Sequence, residues 1–194
     1  MSRCADVSRN TKETEISLSL NLDGEGLLQG KTNVGFFDHM LDLLAKHARF
    51  TLVLDVKGDL QVDAHHTVED VGIALGEALR KALGDKAGIE RYGSILLPMD
   101  EVLVMCALDL GGRPYLSFEG ELPYETIGNF ETELAEEFFR AFAMSAGMNL
   151  HISILKDGNT HHMIEGCFKA LARSLKAAVR IDSANGIPST KGVL

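Results

Sequence analysis

Apolar positions change their period along this chain, and the changes mark its elements. Residues 13–22 alternate polar and apolar (Glu-Thr-Glu-Ile-Ser-Leu-Ser-Leu-Asn-Leu), the pattern of a strand with one buried face. Asp23-Gly24-Glu25-Gly26 predicts a turn, and residues 27–32 a returning strand. Between Phe36 and His47 the apolar residues recur at helical spacing. Residues 51–56 revert to a strand, Lys57-Gly58-Asp59 closes it, and a second helix runs through residues 71–83. A connection rich in glycine and charge, residues 84–93, then leads into a similar series. Residues 94–97 and 101–110 read as strands around Pro98-Met99-Asp100. Gly111-Gly112-Arg113-Pro114 is a turn and residues 115–119 a strand. Residues 132–146 form a helix, 149–155 a strand, Lys156-Asp157-Gly158-Asn159 a turn, and 166–179 a last helix. The tail from residue 183 to 194 reads as irregular.

The second half replays the first. Asp63-Ala64-His65-His66-Thr67-Val68-Glu69-Asp70 and His161-His162-Met163-Ile164-Glu165 both contain His-His-x-x-Glu, at an offset of 96, and each opens a helix. The preceding helix and strand align at an offset of 98, because the second turn is two residues shorter. That offset lays Phe50-Thr51-Leu52-Val53 on Met148-Asn149-Leu150-His151, Ala45 on Ala143, and His39 on Glu137. The expected fold is therefore an α/β (α+β sandwich) protein built by tandem duplication of a strand-strand-helix-strand-helix unit. The repeats span about 1–92 and 93–194 in one domain, with sheets on one layer and helices on the other.

On a helix, each motif glutamate shares a face with both preceding histidines, whereas adjacent histidines project roughly 100° apart. A His-His pair thus suits two ions better than one. A lone histidine or a carboxylate near a helix start usually has a bland explanation, solvation or complementing the macrodipole; two pairs with one carboxylate offset do not. The pooled metal-ligand candidates are His39, His65, His66, Glu69, Glu137, His161, His162 and Glu165. Imidazole with carboxylate and no thiolate suits Mn²⁺, Zn²⁺, Fe²⁺ or Co²⁺, and a ligand number near six favours Mn²⁺. Two similar sites are expected. One would hold His39, His66, Glu69 and His162. The other would hold Glu137, His161 (or His65) and Glu165, completed by the remaining histidine, within one subunit or across a subunit interface. Asp63, Asp70 and Asp100 read equally as acceptors orienting imidazoles or as caps and turns. His47 reads as a substrate-side group and His151 as structural.

Composition narrows the function without naming it. The chain of 194 residues is 45% hydrophobic and 24% charged, with a net charge of −9, which argues against a nucleic-acid partner. A small anion held by a few local Arg and Lys residues remains compatible. No apolar run is long enough to span a bilayer, and Met1-Ser2-Arg3-Cys4 lacks the apolar core of a signal peptide. Cys4, Cys106 and Cys167 are scattered and odd in number. They predict reduced thiols in a cytoplasm-like compartment, two of them core fillers.

Several longer motifs in fixed order resemble imidazoleglycerol-phosphate dehydratases over nearly the whole chain. They are Arg9-x-Thr11-x-Glu13-Thr14, Phe36-Phe37-Asp38-His39-Met40-Leu41 with His47, Asp63-x-His65-His66-Thr67-x-Glu69-Asp70, and Arg91-Tyr92-Gly93. Pro98-Met99-Asp100-Glu101, Gly112-Arg113-Pro114-Tyr115, His161-His162-x-x-Glu165 and Gly186-Ile187-Pro188-Ser189-Thr190-Lys191-Gly192 complete the set. The resemblance implies a cytoplasmic enzyme of histidine biosynthesis that converts D-erythro-imidazole-glycerol phosphate to imidazole-acetol phosphate. It implies two Mn²⁺ ions per subunit, which bind the substrate imidazole and stabilise an imidazolate-type intermediate, and a homo-oligomer of 24 subunits with sites where subunits meet. Catalytic roles would fall on Glu13, as acid and base, and on the ligands Glu69 and Glu165. Substrate binding would fall on Glu13, His39, His47, Arg91, Arg113, Ser189, Thr190 and Lys191, the cations meeting the phosphate. Many resembling proteins carry histidine in a Glu-His-Phe-Phe stretch where this chain reads Glu136-Glu137-Phe138-Phe139; a carboxylate there can still bind Mn²⁺. Two other readings of the residues are a dimetal hydrolase of phosphoesters and a non-catalytic metal-binding module.

Overall fold

The alternation over residues 13–22 folds as β2 (Thr14–Asn21), with Ile16, Leu18 and Leu20 buried and the residues between them turned outward. In the computed structural model, which describes residues 3–182, 186, 188 and 189, β2 pairs antiparallel with β1 (Cys4–Asn10) and with β4 (Thr51–Gly58). Short β3 (Leu27–Gln29) adds to β4 in parallel. Helices α1 (Gly35–Ala48) and α2 (His65–Leu83) complete the first repeat. The second repeat runs β5 (Tyr92–Met99), β6 (Val102–Asp109), β7 (Tyr115–Glu119), the small hairpin β8 (Thr126–Ile127) and β9 (Phe130–Glu131), α3 (Leu134–Ala146), β10 (Asn149–Lys156) and α4 (Thr160–Ala178).

The duplication is visible in the sheets. Their orders, β1-β2-β4-β3 and β5-β6-β10-β7, match strand for strand, with the parallel pair in the same place. Each repeat carries one more leading strand than the predicted unit. The missed strand is β1, where Val7 is the one deeply buried residue, so no apolar alternation announces it. The predicted strands 94–97 and 101–110 lie in β5 and β6, Pro98 falling inside β5.

Each sheet turns one face to the two helices of its repeat. The repeats then meet helix to helix. α2 packs on β1 and β2 and also against α3; α4 packs on β5 and β6 and also against α1. The sheets therefore flank a middle layer containing all four helices. Burial around much of their circumference follows, as in α2, where Val68, Val71, Ala74, Leu75, Ala78 and Leu79 are all at or below 1% exposure. Phenylalanines fill the centre, Phe138 of α3 lying 5.3 Å from Phe37 of α1 and 5.0 Å from Phe168 of α4, centroid to centroid.

Small residues set the closest approach. A Cβ on Gly76 of α2 would stand 2.6 Å from the Phe142 carbonyl oxygen and 2.7 Å from the Ser145 Cβ, both on α3. Cys106 and Cys167 are buried as core residues, and burial pushes the Cys106 thiol up to about 12. No helix among the described residues is long and apolar enough to cross a membrane.

Candidate metal and substrate site

The cross-repeat helix pairing decides which ligand candidates meet. His39 sits on α1 and faces α4, where His161 and Glu165 lie one turn apart. Their ligand atoms all fall within 4.8 Å of one another. The Glu165 Oε2 is 3.1 Å from the His161 Nε2 and 3.5 Å from the His39 Nε2. The Phe36 ring, centroid 5.0 Å from that of His161, braces its imidazole edge-on. Burial works against charge on Glu165, but the Lys169 ammonium 2.5 Å from its other oxygen outweighs it, helped by His161 and His39. The carboxyl is held below the usual range, hence ionised and able to ligate.

This differs from the expected partition. Among the described residues no cluster joins His39 to His66, Glu69 and His162. Helix α1 packs on α4, not on α2 of its own repeat, so His39 meets the second motif. By the repeat, His39, His161 and Glu165 correspond to Glu137, His65 and Glu69. Glu137 on α3 and His65 on α2 line one hollow of about 560 Å³, without closing into a comparable cluster.

The other histidine of each motif points elsewhere and is held by a carboxylate. The His66 Nδ1 is 3.0 Å from the Asp59 Oδ2, and the His162 Nδ1 is 3.1 Å from the Glu101 Oε2. Glu101 also accepts the Asn159 backbone N–H, which with the His162 contact pulls it down to about 2. Asn159 in turn caps α4, accepting the His162 N–H through its side chain. His66 is raised, first by its bond to Asp59, then by the charges of Asp59, Glu13 and Asp63. A carboxylate on Nδ1 fixes the tautomer and leaves Nε2 as the ligating atom.

Asp59, Glu101 and Lys169 thus belong to the site, although sequence reasoning gave them no role. Glu101 stood in a quoted motif, and the sheets show its rank. Laying β2 on β6 puts Glu13 on Glu101, each just before its strand. Asp70 orients no imidazole. It accepts from the Arg9 Nε at 2.8 Å and from the Thr14 hydroxyl, tying the β1–β2 turn that carries Glu13 onto α2. Asp63 stands just before the start of α2, its carboxylate accepting the His65 N–H at 2.8 Å. Asp100 lies 4.0 Å from the His162 Nε2.

On the substrate side, Arg91 is engaged. Its fork holds Asp109, through Nε at 2.6 Å and Nη2 at 3.0 Å, and its Nη1 donates to the Pro188 carbonyl at 2.8 Å. That bond seats the residue just before Ser189. Arg113 is exposed in the β6–β7 turn. Thr190 and Lys191 lie outside the described residues. His47, on α1 near Lys169 and Arg173, is held below the ordinary histidine value by burial and then by those cations. His151 lies on β10 with its ring against Tyr115.

A family model described as imidazoleglycerol-phosphate dehydratase matches residues 32–175. The chain belongs to the imidazoleglycerol-phosphate dehydratase family. An imidazoleglycerol-phosphate dehydratase of Acetivibrio thermocellus is 58% identical over 195 residues, covering 100% of both chains. One from Rhodopseudomonas palustris is 56% identical, covering 99% of this chain and 98% of its own. The crystal structure of the Staphylococcus aureus protein has a TM-score of 0.84 at 39% identity, covering 92% of this chain and 99% of that one. The Pyrococcus furiosus structure has a TM-score of 0.83 at 34% identity, covering 97% and 100%. Membership makes the chain a dehydratase of histidine biosynthesis, and so a lyase.

Proposed function

We propose that this chain removes water from imidazole-glycerol phosphate to give imidazole-acetol phosphate, with two Mn²⁺ ions per subunit as cofactor. The observation that carries the metal reading is the convergence of His39, His161 and Glu165 from both repeats. Two imidazoles and an ionised carboxylate, with no thiolate, are a donor set for Mn²⁺ and its divalent neighbours. Three protein donors would leave room for a further histidine and for the substrate ring. The second site would use Glu137, His65 and Glu69. Family membership and the converging donors favour the dehydratase over the hydrolase and storage readings.

Among the described residues His66 joins no metal-capable cluster and His162 groups only with Asp100 and Glu101, yet Asp59 and Glu101 prepare each as a ligand. Each would complete a site in a neighbouring subunit, which accords with a homo-oligomer, 24 subunits in the family's pattern, working in the cytoplasm.

When bound, the metal supplies Lewis-acid charge that draws electrons from the imidazole ring. The protein's residues do the rest. Glu13, held at its hairpin tip by the Asp70–Arg9–Thr14 tie, would take the proton from the side-chain carbon and return it to the departing hydroxyl, so that the C–O bond breaks and water leaves. Arg113 and Lys191 meet the phosphate, with the Ser189 and Thr190 hydroxyls, while Arg91 positions the tail through Pro188. His47, beside Lys169 and Arg173, would be a further substrate-side group. The deciding experiment measures metal per chain and turnover of imidazole-glycerol phosphate, before and after chelation and Mn²⁺ add-back. About two metals per chain and Mn²⁺-restored turnover are expected; full turnover by the metal-free protein would sink the reading. His39→Ala should lose metal in parallel.

A further inference from the structure

We propose a second anion site, away from the metal cluster, that takes a small phosphate-bearing molecule with a flat ring. Its place is a hollow of about 410 Å³ between the start of β5 and the last turns of α4, lined by Glu90, Tyr92, Arg173, Lys176, Ala177 and Arg180. That volume lies within the range of small-ligand sites.

The charge of the hollow is against the grain of the molecule. The chain has 28 acidic and 19 basic residues, yet from Gly166 to Ile181 it contains four cations and no acid. Three of the four, Arg173, Lys176 and Arg180, line this hollow. Glu90 answers one of them, accepting from the Arg180 guanidinium at 2.8 Å. Complementing the negative end of α4 accounts for Lys176, in its last turn. It does not account for Arg173, more than a turn earlier, so the hollow keeps a surplus of positive charge.

Tyr92 adds a ring. It is 59% exposed, a large share for an aromatic side chain, and the Arg91 guanidinium covers it at 4.8 Å from the centroid. A ring held on one side by a cation and bordering a basic hollow is a stacking platform for a flat, electron-rich heterocycle. The phosphate would sit on Arg173 and Lys176 and the heterocycle on Tyr92, the general layout for a nucleoside monophosphate. Arg91 belongs at once to this platform and to the seat of Pro188, so occupancy would touch the tail of the catalytic pocket.

Titration calorimetry on the whole protein, with AMP, ribose 5-phosphate and adenosine as probes, tests the site. AMP should bind one per chain. Ribose 5-phosphate should bind at least about fivefold more weakly, the low end for loss of one stacked base. The double variant R173Q/K176Q should weaken AMP by roughly tenfold or more, with its circular dichroism and melting curve unchanged. Tyr92→Leu should erase the preference of AMP over ribose 5-phosphate. The proposal is overturned by the absence of saturable AMP binding. It is overturned equally by AMP affinity that survives R173Q/K176Q but disappears in Arg113→Ala, which would put the anion in the catalytic pocket. Because the readout is binding and not turnover, it stands or falls apart from the dehydratase assignment.

Discussion

Gly76→Ala tests the packing that brings the two repeats together. An added Cβ would meet the Phe142 carbonyl oxygen at 2.6 Å, the Ser145 Cβ at 2.7 Å and the Ala146 nitrogen at 2.8 Å, all on α3. Comfortable contacts of this kind lie near ~3.5 Å, so α2 and α3 must part by about 1 Å, and two of the three atoms are backbone that no rotamer moves. Alanine gains about 1 kcal/mol of helix propensity over glycine; overpacking a tight interface costs about 1–3 kcal/mol. The clash is at the severe end, so the variant should lose about 1–2 kcal/mol net. For a chain of this size that is a fall of roughly 2–8 °C in Tm. Gly72→Ala is the internal control. Its Cβ would meet the Ala141 Cβ at 3.0 Å and the Phe138 carbonyl oxygen at 3.1 Å, a milder strain that propensity nearly offsets. The assay is thermal unfolding by circular dichroism, at one protein concentration and with metal chelated, because bound metal and assembly both shift Tm. A Gly76→Ala protein as stable as Gly72→Ala would refute the close helix crossing.

Glu13→Gln should lower kcat by about 10²–10⁴ while metal content stays at the wild-type level, checked by elemental analysis alongside steady-state kinetics; an unchanged kcat removes Glu13 as the proton carrier. Arg113→Ala should raise KM far more than it lowers metal content, and a KM that does not move takes it out of the phosphate pocket. Burial holds the Lys86 ammonium, bonded to the Leu110 carbonyl at 2.7 Å, below the usual lysine range. Between that lowered value and about 10.4 the unfolded chain binds the extra proton, so this group makes stability rise with pH. The raised thiols of Cys106 and Cys167 act in the opposite sense, so the test is the difference between wild type and Lys86→Met. The variant's stability relative to wild type should decline as pH climbs from 8 towards 10 on urea titration, and parallel curves would contradict the assignment.

The motif pair, its 96-residue offset and the match of His39 with Glu137 were legible because each lies within one helix or one turn, where spacing maps to geometry. The grouping of ligands was not. Nothing in the order of elements says that α1 packs on the other repeat's α4, and that single choice moves His39 from the first motif to the second. Glu101 escaped notice as a histidine partner for a related reason, since 61 residues separate it from His162 and a hairpin tip must close the gap. β1 was invisible because an edge strand, paired only with β2, needs few apolar residues. Val7 suffices, while Arg9 is spent on Asp70.

The helix exchange between repeats also bears on descent. A lone repeat would carry a sheet, two helices and half of each ligand cluster, its short helix having no long helix of another repeat to face. Such a half-length ancestor would gather the three donors only by pairing with a second copy, giving two identical centres related by a twofold axis. Joining the copies into one chain released that symmetry: histidine stands at 39 and glutamate at 137, a divergence no homodimer could record.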